Sequence, residues 1–512
     1  MPNQQSQYIK NTLANLLSNA VVVMLFLVTT PFLIRWLGEA QYGLYRVGLV
    51  SLVGYSMLLN MGFGTAERRY FSEALHAKRF DEGNEVLSVA YTFHGVQCAL
   101  VFAVFMTALY WLPPIVNTPP QYLWAFRSVI FASGVYVCCL FLISPLRAIV
   151  MSCARYDLND FSDLAFRAVL LAGGMALIYF WRPSLYALTA SCLIGAAVIT
   201  GLMIRFSRRV YGAMQIRFGR WDASLFRKMF GFGRYAMMMV VGAMALQQSP
   251  DVLIAAFLGP QWVASYAVAA ILISQLRAIA NAFAGPLFPI ASRLKAASDA
   301  AGLNTLLLEG TRRSLWAWGA LVCPVVAFSG DMLSAWVGAQ YASSFLLVWI
   351  LVLGDFGSAL HYTSSHILTA VGSIKWLGYS HLTFSAVSIA AMVLILGFTS
   401  YGITGVVWAL AVPTFIRGGI IVPVYACLQL KIRPWTFYVY NVLPCLLYLA
   451  AGIAVCRAVR FWISPVELVP VLAVMALCAG AISLGGLWGM LSKSERRRLF
   501  NLVVSIKRNF VG

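Results

Sequence analysis

The sequence predicts an all-α polytopic membrane protein with about fourteen transmembrane helices. Three observations carry that reading. The 512 residues are 61% hydrophobic and only 11% charged, too little charge to cover a soluble chain of this length. Apolar runs of about 20 residues, the length that crosses a bilayer as a helix, recur along the chain. The basic residues gather in alternate gaps between those runs. Of 37 Lys and Arg, 29 fall on one side by this alternation, and the positive-inside rule makes that side cytoplasmic. The other eight are Arg35, Arg46, Arg127, Arg182, Arg277, Arg417, Arg457 and Arg460. They lie inside apolar runs or at their opposite ends, where an ionisable group marks a site of interest.

The predicted spans are 12–36, 42–63, 86–112, 122–148, 160–181, 186–206, 235–258, 263–287, 312–332, 344–371, 376–398, 402–429, 436–457 and 467–490. The first follows the polar MPNQQSQYIKN and is too long for the apolar core of a cleaved signal, so it is expected to stay as a span. The gaps 113–121, 182–185, 259–262 and 399–401 are short or rich in Pro and Gly, and nearly free of Lys and Arg, so they read as external turns. Segment 65–85, TAERRYFSEALHAKRFDEGNE, is charged and amphipathic and reads as a cytoplasmic surface helix, with 288–311 as its counterpart. An even number of spans puts both basic tails on the cytoplasmic side.

An internal repeat divides the chain. RWLGEAQYGLY at Arg35–Tyr45 aligns with AFLGPQWVASY at Ala256–Tyr266, matching Gly38 to Gly259 and Tyr45 to Tyr266 at a spacing of 221. Arg155 against Lys375, and Trp181 against Tyr401, repeat at 220. Both copies begin on the cytoplasmic side. They predict two parallel six-helix bundles related by a pseudo-twofold along the membrane normal, plus two C-terminal helices. The domains are then 1–210 for the first bundle, 211–234 for a basic cytoplasmic connector, 235–430 for the second bundle, and 431–512 for two further helices and a basic tail. The connector, part of the basic run 205–234, reads as a solvated positive-inside linker with an amphipathic helix, or as a docking place for anionic headgroups.

The net charge of +20 follows from this bias. The charges flank hydrophobic spans and form no stripe on a globular face, so nucleic acid is excluded as a partner. The ten cysteines lie almost all inside apolar runs, where Cys acts as a small hydrophobe. No CxxC occurs, and neither a metal site nor a disulfide framework is expected. No Ser-His-Asp signature, P-loop or HExxH is present. His361 and His366 are five apart, off zinc spacing on a helix. The chain is therefore read as a non-enzyme that uses no cofactor and no ATP.

Local motifs carry a family resemblance. PFLIRWLGEAQYGLY at Pro31–Tyr45, MGFGTAERRYFSEAL at Met61–Leu75 and PDVLIAAFLGPQWVASYAVA at Pro250–Ala269 resemble, in order and spacing, the Wzx-type polysaccharide flippases of the multidrug/oligosaccharidyl-lipid/polysaccharide exporter superfamily. The resemblance covers most of the chain. It implies a protein of the cytoplasmic (inner) membrane that moves a polyprenyl-pyrophosphate-linked oligosaccharide outward for surface polysaccharide biosynthesis. Its partners would be the lipid-linked oligosaccharide, membrane lipids, and a polysaccharide polymerase and glycosyltransferases.

That substrate suggests roles for the intramembrane polar residues. A pyrophosphate cannot shed its water in hydrocarbon without compensation, and Arg grips phosphate through a planar, permanently charged fork. Arg277 shares a helix face with Ser274 and Asn281, beside Gln275. It is either a cavity residue or the partner of a buried carboxylate such as Asp251. Asp251 follows Pro250, with Gln247 one turn before, and reads as an ion-coupling group or a counter-ion. Arg417, after Pro413, is a second cavity candidate. Asp355, Ser358, Tyr362 and Ser365 form one stripe, either sugar-binding or an inter-helix seam. Arg35, Arg46 and Arg127 read as interfacial residues that could serve an entrance or exit. Asn15 and Asn19, with Asn11 before them, form a stripe toward the inward mouth.

Other functions predict other signatures. A cation-coupled multidrug exporter of the same superfamily calls for a cavity dominated by carboxylates, and the intramembrane charges here are mainly Arg. A peptidoglycan-precursor lipid flippase shares the span number and the cationic cavity. A glycan polymerase or acyltransferase needs a large external loop, which this chain lacks. A non-transporting membrane subunit of a polysaccharide secretion complex is separated by a transport assay.

Overall fold

The computed structural model describes residues 21, 24–60, 62–212, 215, 221–284, 287–463 and 467–490, with the backbone alone at 232–236, 278–284 and 487–490. Asn11, Asn15, Asn19 and connector residues 213, 214 and 216–220 lie outside the described residues. Every regular element among the described residues is helical. In chain order these are α1 (Met24–Leu37), α2 (Glu39–Asn60), α3 (Phe63–His76), α4 (Phe80–Ile115), α5 (Pro120–Ser152), α6 (Tyr156–Phe180), α7 (Leu185–Val210) and α8 (Ala223–Phe257). There follow α9 (Gln261–Ala284), α10 (Leu287–Ala296), α11 (Ala300–Trp336), α12 (Ala339–Ala370), α13 (Ile374–Phe398), α14 (Gly402–Gln429), α15 (Pro434–Ile463) and α16 (Leu468–Met490). Twelve are long and apolar enough to cross a membrane. The two remaining predicted spans, 12–36 and 263–287, fall on α1 and α9, each only partly described.

The surface helix expected over 65–85 is two elements. α3 ends in a turn at Lys78, whose φ is 57°, and residues from Phe80 onward begin the 36-residue α4. The break is a left-handed helix cap. Arg79 N–H bonds back to the Ala74 carbonyl at 2.9 Å, and Lys78 N–H to that of Leu75 at 3.1 Å. The counterpart over 288–311 is built alike: α10, Ser298 at φ 54°, then the 37-residue α11. α3 is amphipathic as expected, with Thr65, Arg69, Glu73 and His76 on its exposed face. Its other face is buried: Phe63, Ala66 and Phe71 pack in a core with Leu87, Ile149, Tyr211 and Met229, and each buried Phe contributes about 1.5–3 kcal/mol.

The repeat is written in the backbone. Left-handed turns stand at Gly38, Lys78 and Asn117, and again at Gly259, Ser298 and Gly338, keeping the 220–221 spacing read from the side chains. Tyr45 and Tyr266 are both buried. The two Gly turns also touch: a Cβ on Gly43 would strike the backbone of Pro260, so only glycine fits there.

Chain contacts divide the molecule into two compact units. Unit 1 is residues 1–267 with 381–403, and unit 2 is 268–380 with 404–512. In unit 1, α13 docks on α8, where Ser385 Oγ donates to the Gly242 carbonyl at 2.8 Å. α8 starts at Asp222, which caps the helix by accepting from Ser224 and Leu225 N–H. The Leu225 and Ser224 bonds hold this carboxyl below the usual carboxylate range. In unit 2, α12 and α14 meet at Gly357 and Gly418. A Cβ on Gly418 would lie 2.5 Å from the Gly357 carbonyl oxygen, and backbone cannot yield as a side-chain tip can. Gly418→Ala is therefore expected to cost about 1–3 kcal/mol, read as a lower thermal midpoint of the purified protein.

Candidate functional site

Four helices of unit 2 bring the predicted cavity residues together. Arg277 projects from α9, and its Nε donates to Asp355 Oδ1 on α12 at 2.8 Å. Asp355 Oδ2 accepts from Trp318 Nε1 on α11 at 2.7 Å. The Asp355 side chain is 2% exposed, whereas that of Arg277 is 33% exposed. One carboxylate thus ties three helices, and a third of the Arg277 side chain stays exposed. Tyr362, two turns along α12 and half-buried, lies within electrostatic reach of Arg277, Asp355 and Arg417.

Arg417 is the unusual member. It sits on a π-helical stretch of α14, Ile416–Ile421, shortly after Pro413, whose ring removes an N–H from the ladder. Arg417 is 8% exposed, its Nη1 has no hydrogen-bond partner, and no acidic group pairs with it among the described residues. The cluster sets two guanidinium groups against one carboxylate. Such a surplus of buried positive charge is unfavourable unless an anion completes it.

Other predicted neighbours contribute less. Gln275 is half-buried, with its amide 3.5 Å from Ser274 Oγ. Asn281 is described by its backbone alone. The α12 stripe is partly satisfied by its own helix, since Ser365 Oγ donates to the Tyr362 carbonyl at 3.0 Å.

The counter-ion suggested for Arg277 was Asp251, and the structure corrects this. Arg277 pairs with Asp355, and Asp251 pairs within unit 1. Arg46 Nη2 on α2 lies 2.8 Å from Asp251 Oδ2 on α8, and Ser51 Oγ donates to the same oxygen at 3.2 Å. Asp251 is 1% exposed. Arg46, expected near the outer interface, is turned inward at the start of a second π-helical stretch, Arg46–Ser51. Gln247, one turn before Asp251 on α8, is exposed, and Ser249 bonds Tyr55 across α2 and α8 at 2.7 Å. Arg35 is exposed at the end of α1. Arg127 donates to the Leu109 carbonyl at 3.0 Å, with its guanidinium 4.8 Å from the Trp124 ring centre, a packing suited to a membrane interface.

One buried network escaped the sequence reading. Glu67 of α3 and His94 of α4, both 0% exposed, stand 2.5 Å apart. His94 Nδ1 lies 2.6 Å from Gln97 Oε1, and Ser144 Oγ on α5 donates to Glu67 Oε2 at 2.9 Å. The available signal was spacing: Phe63, Glu67, Phe71 and Ala74 follow the helical period, which puts Glu67 in the apolar stripe.

Comparison with known proteins bears on this arrangement. A family model described as polysaccharide biosynthesis protein matches residues 8–295. The chain is 19% identical over 454 residues to the uncharacterized membrane protein EpsK of Bacillus subtilis (strain 168), covering 88% of this chain and 89% of that one. It is 23% identical over 385 residues to a putative O-antigen transporter of Shigella flexneri, covering 73% and 87%. In fold it is similar to the lipid II flippase MurJ in an inward closed conformation, with TM-score 0.67, 11% identity and coverage of 93% and 98%. It is also similar to an inward-facing multidrug resistance MATE family transporter of the MOP superfamily, with TM-score 0.64, 10% identity and coverage of 81% and 98%. At these identities the solved structures establish the fold.

Proposed function

The chain belongs to the polysaccharide biosynthesis protein family, and from that premise we propose that it is a flippase. Its cargo would be a polyprenyl-pyrophosphate-linked oligosaccharide, moved across the cytoplasmic membrane by alternating access. The observation that carries this reading is Arg417, buried and without an acidic partner among the described residues. A pyrophosphate supplies the missing negative charge, and Arg offers it a bidentate grip. The exposed part of the Arg277 side chain would give a second contact. Tyr362 and Gln275 would hold sugar hydroxyls, with Asn281 one turn beyond Arg277 on α9. The polyprenyl tail stays in the bilayer, so only the headgroup needs a polar route.

The relative from Shigella, a putative O-antigen transporter, supports a glycan cargo. A cationic drug would need free carboxylates, whereas Asp251 and Asp355 are engaged by Arg46 and Arg277. The test is reconstitution of the purified protein in liposomes with a fluorescent polyprenyl-pyrophosphate oligosaccharide. Protein-dependent transfer between leaflets is expected, and deletion of the gene should trap the lipid-linked glycan on the cytoplasmic face. Normal surface polysaccharide in the deletion strain would sink the proposal.

A further inference from the structure

Unit 1 holds a second cationic site, apart from the cluster in unit 2, and we propose that it binds the phosphate of a lipid headgroup. A cavity of about 310 Å³ opens among α2, α3 and α5, with Asn60, Gly62, Thr65, Arg68, Ser144 and Arg147 in its wall. That volume is in the range of small-ligand pockets. It lies at the end of unit 1 that the basic residues assign to the cytoplasm.

The charge of the wall selects an anion. Arg68 is half-buried and has no carboxylate partner among the described residues; its Nη1 approaches Met151 Sδ at 3.8 Å, and a thioether is a weak acceptor. Arg147 gives two N–H groups to Asp163, at 3.1 and 2.5 Å, while its Nε is buried without a partner. Glu67, the neighbour of Arg68 in sequence, does not line the cavity; it is buried behind the wall residue Ser144 and engaged by His94 and Ser144. Two arginines therefore line the cavity while the carboxylates nearest them, Asp163 and Glu67, stand outside its wall. α3 adds to the field. It starts at this cavity after Gly62 with no side-chain cap, so its first N–H groups and its dipole favour an anion there. No carboxylate lines the cavity, which disfavours a metal cation or an amine. Met57, Met151 and Val240 complete the wall, and this apolar part suits the hydrocarbon next to a headgroup.

The phosphate could belong to the polyprenyl substrate or to a bulk anionic lipid. Only the first assignment rests on the flippase reading. The test uses full-length protein in phosphatidylcholine nanodiscs. Thermal stabilisation is followed on adding inorganic pyrophosphate, a short-chain polyprenyl pyrophosphate, or phosphatidylglycerol. Losing one charge-assisted contact in Arg68→Ala should weaken binding roughly tenfold or more. Arg69→Ala is the control, because Arg69 pairs with Glu73 outside the cavity and should bind as the parent does. Stabilisation by the polyprenyl pyrophosphate alone assigns the site to the substrate, and equal stabilisation by phosphatidylglycerol assigns it to bulk lipid. Equal affinity in Arg68→Ala and the parent, or no stabilisation by any of the three probes, overturns the proposal. The readout is binding alone, so a negative result in the liposome transport assay would refute the flippase reading and leave this site standing.

Discussion

Replacing Arg277 with alanine is expected to destabilise the protein by about 3–5 kcal/mol, because it leaves Asp355 as an uncompensated buried charge. The carboxylate is 2% exposed, and the single remaining described donor is Trp318 Nε1 at 2.7 Å. One indole N–H replaces neither the charge nor the hydration of a carboxylate. The informative experiment is the cycle with Asp355→Asn. Arg277→Ala/Asp355→Asn removes both charges and should recover most of the lost stability, measured as the thermal midpoint in detergent. Export separates two roles for Arg277. If it only neutralises Asp355, the double variant regains export with stability. If it also holds the substrate, stability returns and export does not, which is the outcome expected here. Full export in the double variant would remove Arg277 from the cavity.

Arg417→Ala should behave in the opposite way. Breaking a buried ion pair is destabilising, but Arg417 forms none among the described residues and its Nη1 is unpartnered. Removing it relieves an unsatisfied buried group, worth about 1–3 kcal/mol, against the cost of the space left behind. The thermal midpoint should hold or rise while export falls at least tenfold, the effect of losing about 1.4 kcal/mol of headgroup binding. Arg417→Lys keeps the charge but loses the planar fork, and should retain part of the activity. A fall in stability that matches the fall in export would mark Arg417 as a structural residue.

These opposed outcomes follow from what neighbours each arginine, and neighbours are where sequence reading stopped. The spans were legible because the bilayer imposes a length on every helix that crosses it. The repeat was legible in Gly38 and Gly259, since a left-handed turn needs glycine more than it needs any partner. At Lys78 and Ser298 the same turn is made without glycine. There the backbone bonds of the helix cap decide, and composition is silent.

The charged residues inside the spans were found from sequence, but their pairing was not. For Arg277 the sequence offers a cavity role or a carboxylate such as Asp251, and its partner is Asp355, 78 residues along the chain. Arg46 read as interfacial and is held inside by Asp251. Glu67 read as one charge on a surface helix and is fully buried against His94. The sequence by itself therefore determined that this is a helical membrane protein with a duplicated plan and a few costly intramembrane charges, because those properties depend on local composition and period. Only the tertiary structure decided which charges cancel and which remain. Pairing depends on distances of a few ångströms between helices far apart in sequence, and in a low-dielectric interior such distances fix whether an arginine's charge is cancelled or left over.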